Sequence, residues 1–144
     1  MKMLRLYEDK VYAILRMVGG FMFAFHGVQI LFGFLSTMPR PSFGSQIWVG
    51  GIIELACGIL IILGFLTRWA AFLSSGTMAV AYVQFHWKFQ LSTAAFPAIN
   101  QGELALLYSF LFLYISCRGG VVWCLDKMEI DEKAHLMKLD QLRD

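Results

Sequence analysis

The sequence predicts an all-α integral membrane protein, a four-helix bundle with both termini in the cytoplasm. Three observations predict it. The 144-residue chain is 58% hydrophobic and only 15% charged, against about 25% charged in soluble domains. Four stretches approach the roughly 20 predominantly apolar residues that a spanning helix needs. Lys and Arg fall almost wholly on one side of those stretches, the asymmetry that orients membrane proteins.

The first stretch covers about residues 11–35. It is too long for a cleavable signal, and no A-x-A site follows it. The loop "STMPRPSFGS" leads to the second stretch, about 46–66. Only Thr67-Arg68 separates that from the third, about 69–87, so the two should form a tight antiparallel hairpin. "KFQLSTAAFPAINQG" then leads to the fourth, about 103–123. Trp87, Phe89 and Phe96 suit the headgroup belt, and a short in-plane helix is expected between them. Residues 1–126 form the transmembrane domain, and 127–144 form a charged cytoplasmic tail, with Leu136, Leu139 and Leu142 patterned as an amphipathic helix.

With the termini inside, Lys2, Arg5, Lys10, Arg16, Arg68, Arg118, Lys127, Lys133, Lys138 and Arg143 lie on the inner side, and Arg40 and Lys88 on the outer. This predicts a multi-pass protein of the cell inner membrane. The net charge of +2 is small and its basic residues are scattered, which excludes nucleic acid as a partner. The lipid bilayer is the partner the composition names.

Ionisable groups inside spanning segments cost about 2.5–3.5 kcal/mol each and are read as functional by default. Glu54 stands alone in an apolar run, about 12 Å below the start of its segment at 1.5 Å per residue. His26 lies about 13 Å below the end of the first segment by the same rise. The two are level, and a His26–Glu54 contact is expected. Gly50, Glu54 and Gly58 recur every four residues and share one helix face. Glycines at that spacing admit a close neighbouring helix, and Gly20 and Gly27 form a similar stripe beside His26. Glu54 should therefore face the interior, either as a working carboxylate or as a polar tie between helices.

His86 and Glu103 sit near the outer ends of the third and fourth segments. Asn100 and Glu103 also fit a helix-capping pair, and His86 beside Trp87 also fits an interfacial anchor. Arg16, Arg68 and Arg118 collect near the inner face, where snorkelling to headgroups would fix topology. Cys57, Cys117 and Cys124 have no C-x-x-C spacing and read as buried, inert thiols. No metal-ligand spacing or phosphate loop is present, so neither a metal nor a resident cofactor is expected.

Four stretches resemble the DoxX family of small membrane proteins: "FHGVQILFG" (25–33), "IIELACGILIILGFLTRWAA" (52–71), "MAVAYVQFH" (78–86) and "FPAINQGELALLY" (96–108). A weaker fifth, "GGVVWCLD" (119–126), follows in order. The resemblance singles out Arg16, His26, Gly27, Glu54, Gly64, Arg68, His86, Pro97, Asn100, Gly102, Glu103 and Asp126. Two departures stand out. Ile30 occupies a position where many relatives carry Lys, and Val121 and Cys124 replace the usual Gly and Ser of the closing motif.

The family takes its name from a membrane subunit of a thiosulfate:quinone oxidoreductase. The resemblance therefore implies a quinone-linked redox subunit, with a quinone as ligand and other membrane or redox subunits as partners. His26 and Glu54 would be catalytic and would bind the head group together with His86 and Glu103. Arg16, Arg68, Arg118, Asn100 and Asp126 would be structural. The chain carries no evident redox centre, so electrons would come from a partner. The alternative is a non-catalytic accessory or assembly subunit of a larger respiratory or photosynthetic membrane complex. The missing Lys leans that way.

Overall fold

Glu8 and Asp9 begin the longest helix, where carboxylates offset the positive end of the helix dipole. The structure, a computed structural model, describes residues 2–37 and 39–126. The expected helix in the 127–144 tail lies outside the described residues. A short helix α1 (Lys2–Arg5) precedes α2 (Glu8–Phe32). Gly33 ends α2 with a left-handed φ of 69°, its N–H donating to Gln29 O at 2.9 Å. Glycine is the residue such a C-cap favours. Helix α3 (Gln46–Leu63) opens with Ser45, whose Oγ accepts from Trp48 N at 3.3 Å. Gly64 closes it at φ 67°.

Helix α4 (Thr67–Ala81) continues without a break into a π-helical turn, Tyr82–Trp87. The connection to the last helix holds a 3₁₀ turn at Thr93–Ala95 and a one-turn helix α5 (Pro97–Asn100) with Pro at its first position. Helix α6 (Glu103–Arg118) ends one turn earlier than the apolar run suggests, because Gly119 and Gly120 follow. Residues 119–126 instead fold back across the end of α3 and the start of α4.

The element boundaries differ from the expected ones in consistent ways. The first helix begins and ends three residues early. The tight connection is Gly64–Leu66 rather than Thr67-Arg68, because Thr67 is already helical. The expected in-plane helix is reduced to the two short turns of residues 93–100.

The described residues form no strand. Helix α2 packs along α3, α3 against α4, and α4 against α6. Phe23, Ile61, Ala71, Met78, Phe112 and Ile115 are buried between them. Outward faces carry large apolar side chains, with Trp69 75% exposed. Helices α2 and α3 are each long and apolar enough to cross a membrane. Apolar surface on this scale marks a protein whose solvent is lipid, and the chain is a membrane protein.

Candidate functional site

Backbone contact between α2 and α3 sets the site. A Cβ added at Gly58 would lie 2.6 Å from Ala24 N and 2.7 Å from Gly20 O. One added at Gly27 would meet the backbone of Leu55 and Gly51. Small residues at such crossings let helices approach until main chains touch. The glycine that joins Gly58 on α3 is Gly51, not Gly50: Gly50 has open space, whereas Gly51 lies beneath Ile30 and Leu31. The helix period selects Gly51, Glu54 and Gly58, spaced three and four residues apart.

On this platform His26 Nδ1 lies 2.7 Å from Glu54 Oε2. One proton joins the two groups, whether it is assigned to the imidazole or to the carboxyl. The pair is asymmetric. The Glu54 side chain is 5% exposed and that of His26 60%, so the carboxylate is interior as expected and the histidine faces outward. Nε2 of His26 and Oε1 of Glu54 have no hydrogen-bond partner among the described residues, which leaves one nitrogen and one oxygen for another molecule.

His86 and Glu103 do not join this pair. His86 Nδ1 lies 3.2 Å from Asn100 O, and Glu103 is exposed at the start of α6. The expected capping pair is also replaced. Asn100 ends α5, its Nδ2 donating to Ala94 O at 2.9 Å and its Oδ1 accepting from Gly102 N at 2.8 Å. Gly102 is the N-cap of α6 and Glu103 its first residue, so Asn100 pins the loop and Glu103 is too early to be the third helical residue of a capping box.

At the opposite end, the three arginines act as helix ties, which replaces the snorkelling expectation. Arg16 is fully buried and donates to Ile61 O, to Ile62 O at 3.0 Å and to Trp123 O at 2.7 Å. A cation on the last carbonyls of α3 complements the helix dipole. Arg68 donates to Cys117 O at 2.6 Å, at the end of α6. Arg118 pairs with Glu8 and Asp9 at 3.2 and 2.6 Å, at the start of α2. Asp126 accepts from Leu66 N at 2.7 Å and Thr67 N at 2.9 Å, capping α4. Each helix end is thereby held by a residue distant in sequence.

Two ties escaped the sequence reading altogether. The Tyr12 hydroxyl donates to Gly119 O at 2.7 Å, and Gln46 Nε2 donates to Gln84 Oε1 across the far ends of α3 and α4. No spacing rule marks either. Among the described residues, no group of three or more His, Cys, Asp or Glu is placed to hold a metal ion.

The DoxX family pattern matches residues 11–87, a stretch containing Arg16, His26, Glu54, Arg68 and His86 but not Glu103 or Asp126. A Haemophilus influenzae protein, described as an uncharacterized protein, is 40% identical over 129 residues, covering 88% of this chain and 96% of its own length. No solved structure matches the chain.

Proposed function

Because the chain belongs to the DoxX family, we propose that it is an integral membrane subunit of a quinone-linked oxidoreductase, with His26 and Glu54 as the head-group site. In this reading the four long helices cross the cell inner membrane as a bundle. Both termini lie in the cytoplasm in this reading, which the Lys/Arg distribution supports. The loops at 33–45 and 88–102 then face the outer side, and His26 lies about 9 Å below the end of α2 at 1.5 Å per residue.

The observation that carries the reading is the 2.7 Å His26–Glu54 pair, with one atom of each group left unused. Converting a quinone to its quinol takes two electrons and two protons. The electrons come from a partner subunit, and the protons pass through His26 and Glu54. An imidazole N–H donates to one quinone oxygen, and the carboxyl holds the proton that follows. A carboxyl and an imidazole already sharing a proton meet the geometric condition for general acid–base transfer. His86 and Glu103, at the outer helix ends, exchange those protons with the aqueous phase.

The ring of ties at the cytoplasmic end favours the second reading, an accessory subunit. There every buried or paired charge serves to hold helices, and the His–Glu pair would be one more tie. The two readings separate in the purified assembly with its electron donor. Glu54→Gln is expected to lower quinone-dependent turnover about 10²–10⁴-fold, the usual contribution of a positioned acid or base, at normal protein levels. Unchanged turnover assigns the pair a structural role.

A further inference from the structure

We propose that the His26–Glu54 site opens sideways into the outer leaflet, past His26, and takes a lipid-borne amphiphile whose carbonyl or hydroxyl head enters while its tail stays in the bilayer. The inference rests on the head-group reading above and adds the route and the ligand's physical form.

The seam between α2 and α3 is closed on both sides of Glu54. Toward the outer aqueous side, Ile30 and Leu31 cover Gly51: a Cβ there would meet their side chains at 2.7 and 3.2 Å. Toward the cytoplasm, the backbones at Gly20, Ala24 and Gly58 are in contact. Neither direction leaves room for a head group. The contacts that tie α2 to α6 run from Tyr12 through Gly19 and Leu111 to Phe23 and Tyr108. His26 lies about one helical turn beyond the last of them.

The remaining side is the one His26 faces. Its ring is 60% exposed while the carboxylate behind it is 5% exposed, so the imidazole is the part of the site that an arriving molecule meets. Met22, one turn away on the same helix, is 48% exposed. A polar nitrogen without a partner, set on an apolar face at this depth, is costly in hydrocarbon. A ligand already dissolved in the bilayer would satisfy that nitrogen without crossing the aqueous phase.

Spin labelling tests the route independently of turnover. A nitroxide is placed at Met22→Cys, and separately at His26→Cys, in a Cys117→Ser background, since Cys57 and Cys124 are buried. The protein is reconstituted in phosphatidylcholine vesicles, with Val18→Cys as the lipid-facing reference and Phe43→Cys as the loop reference. Collision with dissolved O₂ should match the Val18 label, and collision with a water-soluble nickel chelate should be lost. Adding decylubiquinone to the vesicles should reduce O₂ access at the Met22 label, and a tail-free dimethoxy-methyl-benzoquinone at the same aqueous concentration should not. Strong nickel access would mean an aqueous opening and overturn the proposal. Loss of both probes would mean that another protein surface covers this face, and overturns it equally. The Met22 label leaves the His–Glu pair intact, so the route is tested even if His26→Cys fails to fold. A lipid-facing result combined with normal turnover in Glu54→Gln would retain the opening and reject the quinone chemistry.

Discussion

Replacing Arg16 with alanine is expected to remove most folded protein from the membrane. The guanidinium is fully buried and donates to three carbonyls, those of Ile61, Ile62 and Trp123. Its Nε has no partner among the described residues, so those three bonds are what hold it. Truncation removes a donor from each carbonyl; Ile61 O keeps the Gly64 N–H at 3.3 Å, and an acceptor left unsatisfied away from water costs about 1–3 kcal/mol. Total stabilities of only about 5–15 kcal/mol leave little margin for such a loss. Truncation also removes the Trp123 tie between residues 119–126 and the end of α3, leaving Asp126 N on Gly64 O at 2.9 Å and the Asp126 cap on α4 to hold that segment. Lysine should recover little, because one ammonium on a flexible stem does not reproduce the planar fork. Thermal unfolding and monodisperse yield in mild detergent measure the effect. An Arg16→Ala protein that unfolds like the wild type would return Arg16 to a headgroup anchor.

Gly58→Val is expected to have a comparable effect by a different route. The first added carbon would lie 2.6 Å from Ala24 N and 2.7 Å from both Ala24 Cβ and Gly20 O. Two of those neighbours are main-chain atoms, which cannot yield by changing rotamer. The helices must separate, at about 1–3 kcal/mol or more for overpacking, and the His26–Glu54 bond would break with them. Gly50→Ala supplies the control. Nothing lies within 4 Å of a Cβ there, so unfolding temperature and expression should stay at wild-type values. Equal behaviour of the two variants, read by thermal unfolding in detergent, would contradict the α2–α3 contact.

These two sites also mark how far the sequence was legible. Apolar runs located the four long helices, and depth counting set His26 level with Glu54, because both follow from rise per residue. The same counting could not choose Gly51 over Gly50, since the helix period tolerates a one-residue shift until a neighbour is in place. It did not separate a snorkelling arginine from a buried one either. Arg16 lies near a membrane face in both cases, and only the fold shows which carbonyls lack partners. Asp126 was marked by resemblance alone, because its partners are the Leu66 and Thr67 N–H groups, about sixty residues earlier in the chain. The end of α6 was readable: Arg118 followed by Gly119-Gly120 is a stop signal, which the continuing apolar run Val121–Trp123 masked. The outward face of His26 was not, since single-helix periodicity does not reveal where the packed neighbours stop.

The central claim is that His26 and Glu54 together form a quinone head-group site, and binding tests it without an electron donor. Decylubiquinone titrated calorimetrically into the purified protein in mild detergent should bind the wild type. His26→Asn and Glu54→Gln should each weaken that binding roughly 10–100-fold, the equivalent of one hydrogen bond to a charged group at about 1.5–3 kcal/mol. Wild-type affinity in both variants, with the helices still folded, would contradict the claim.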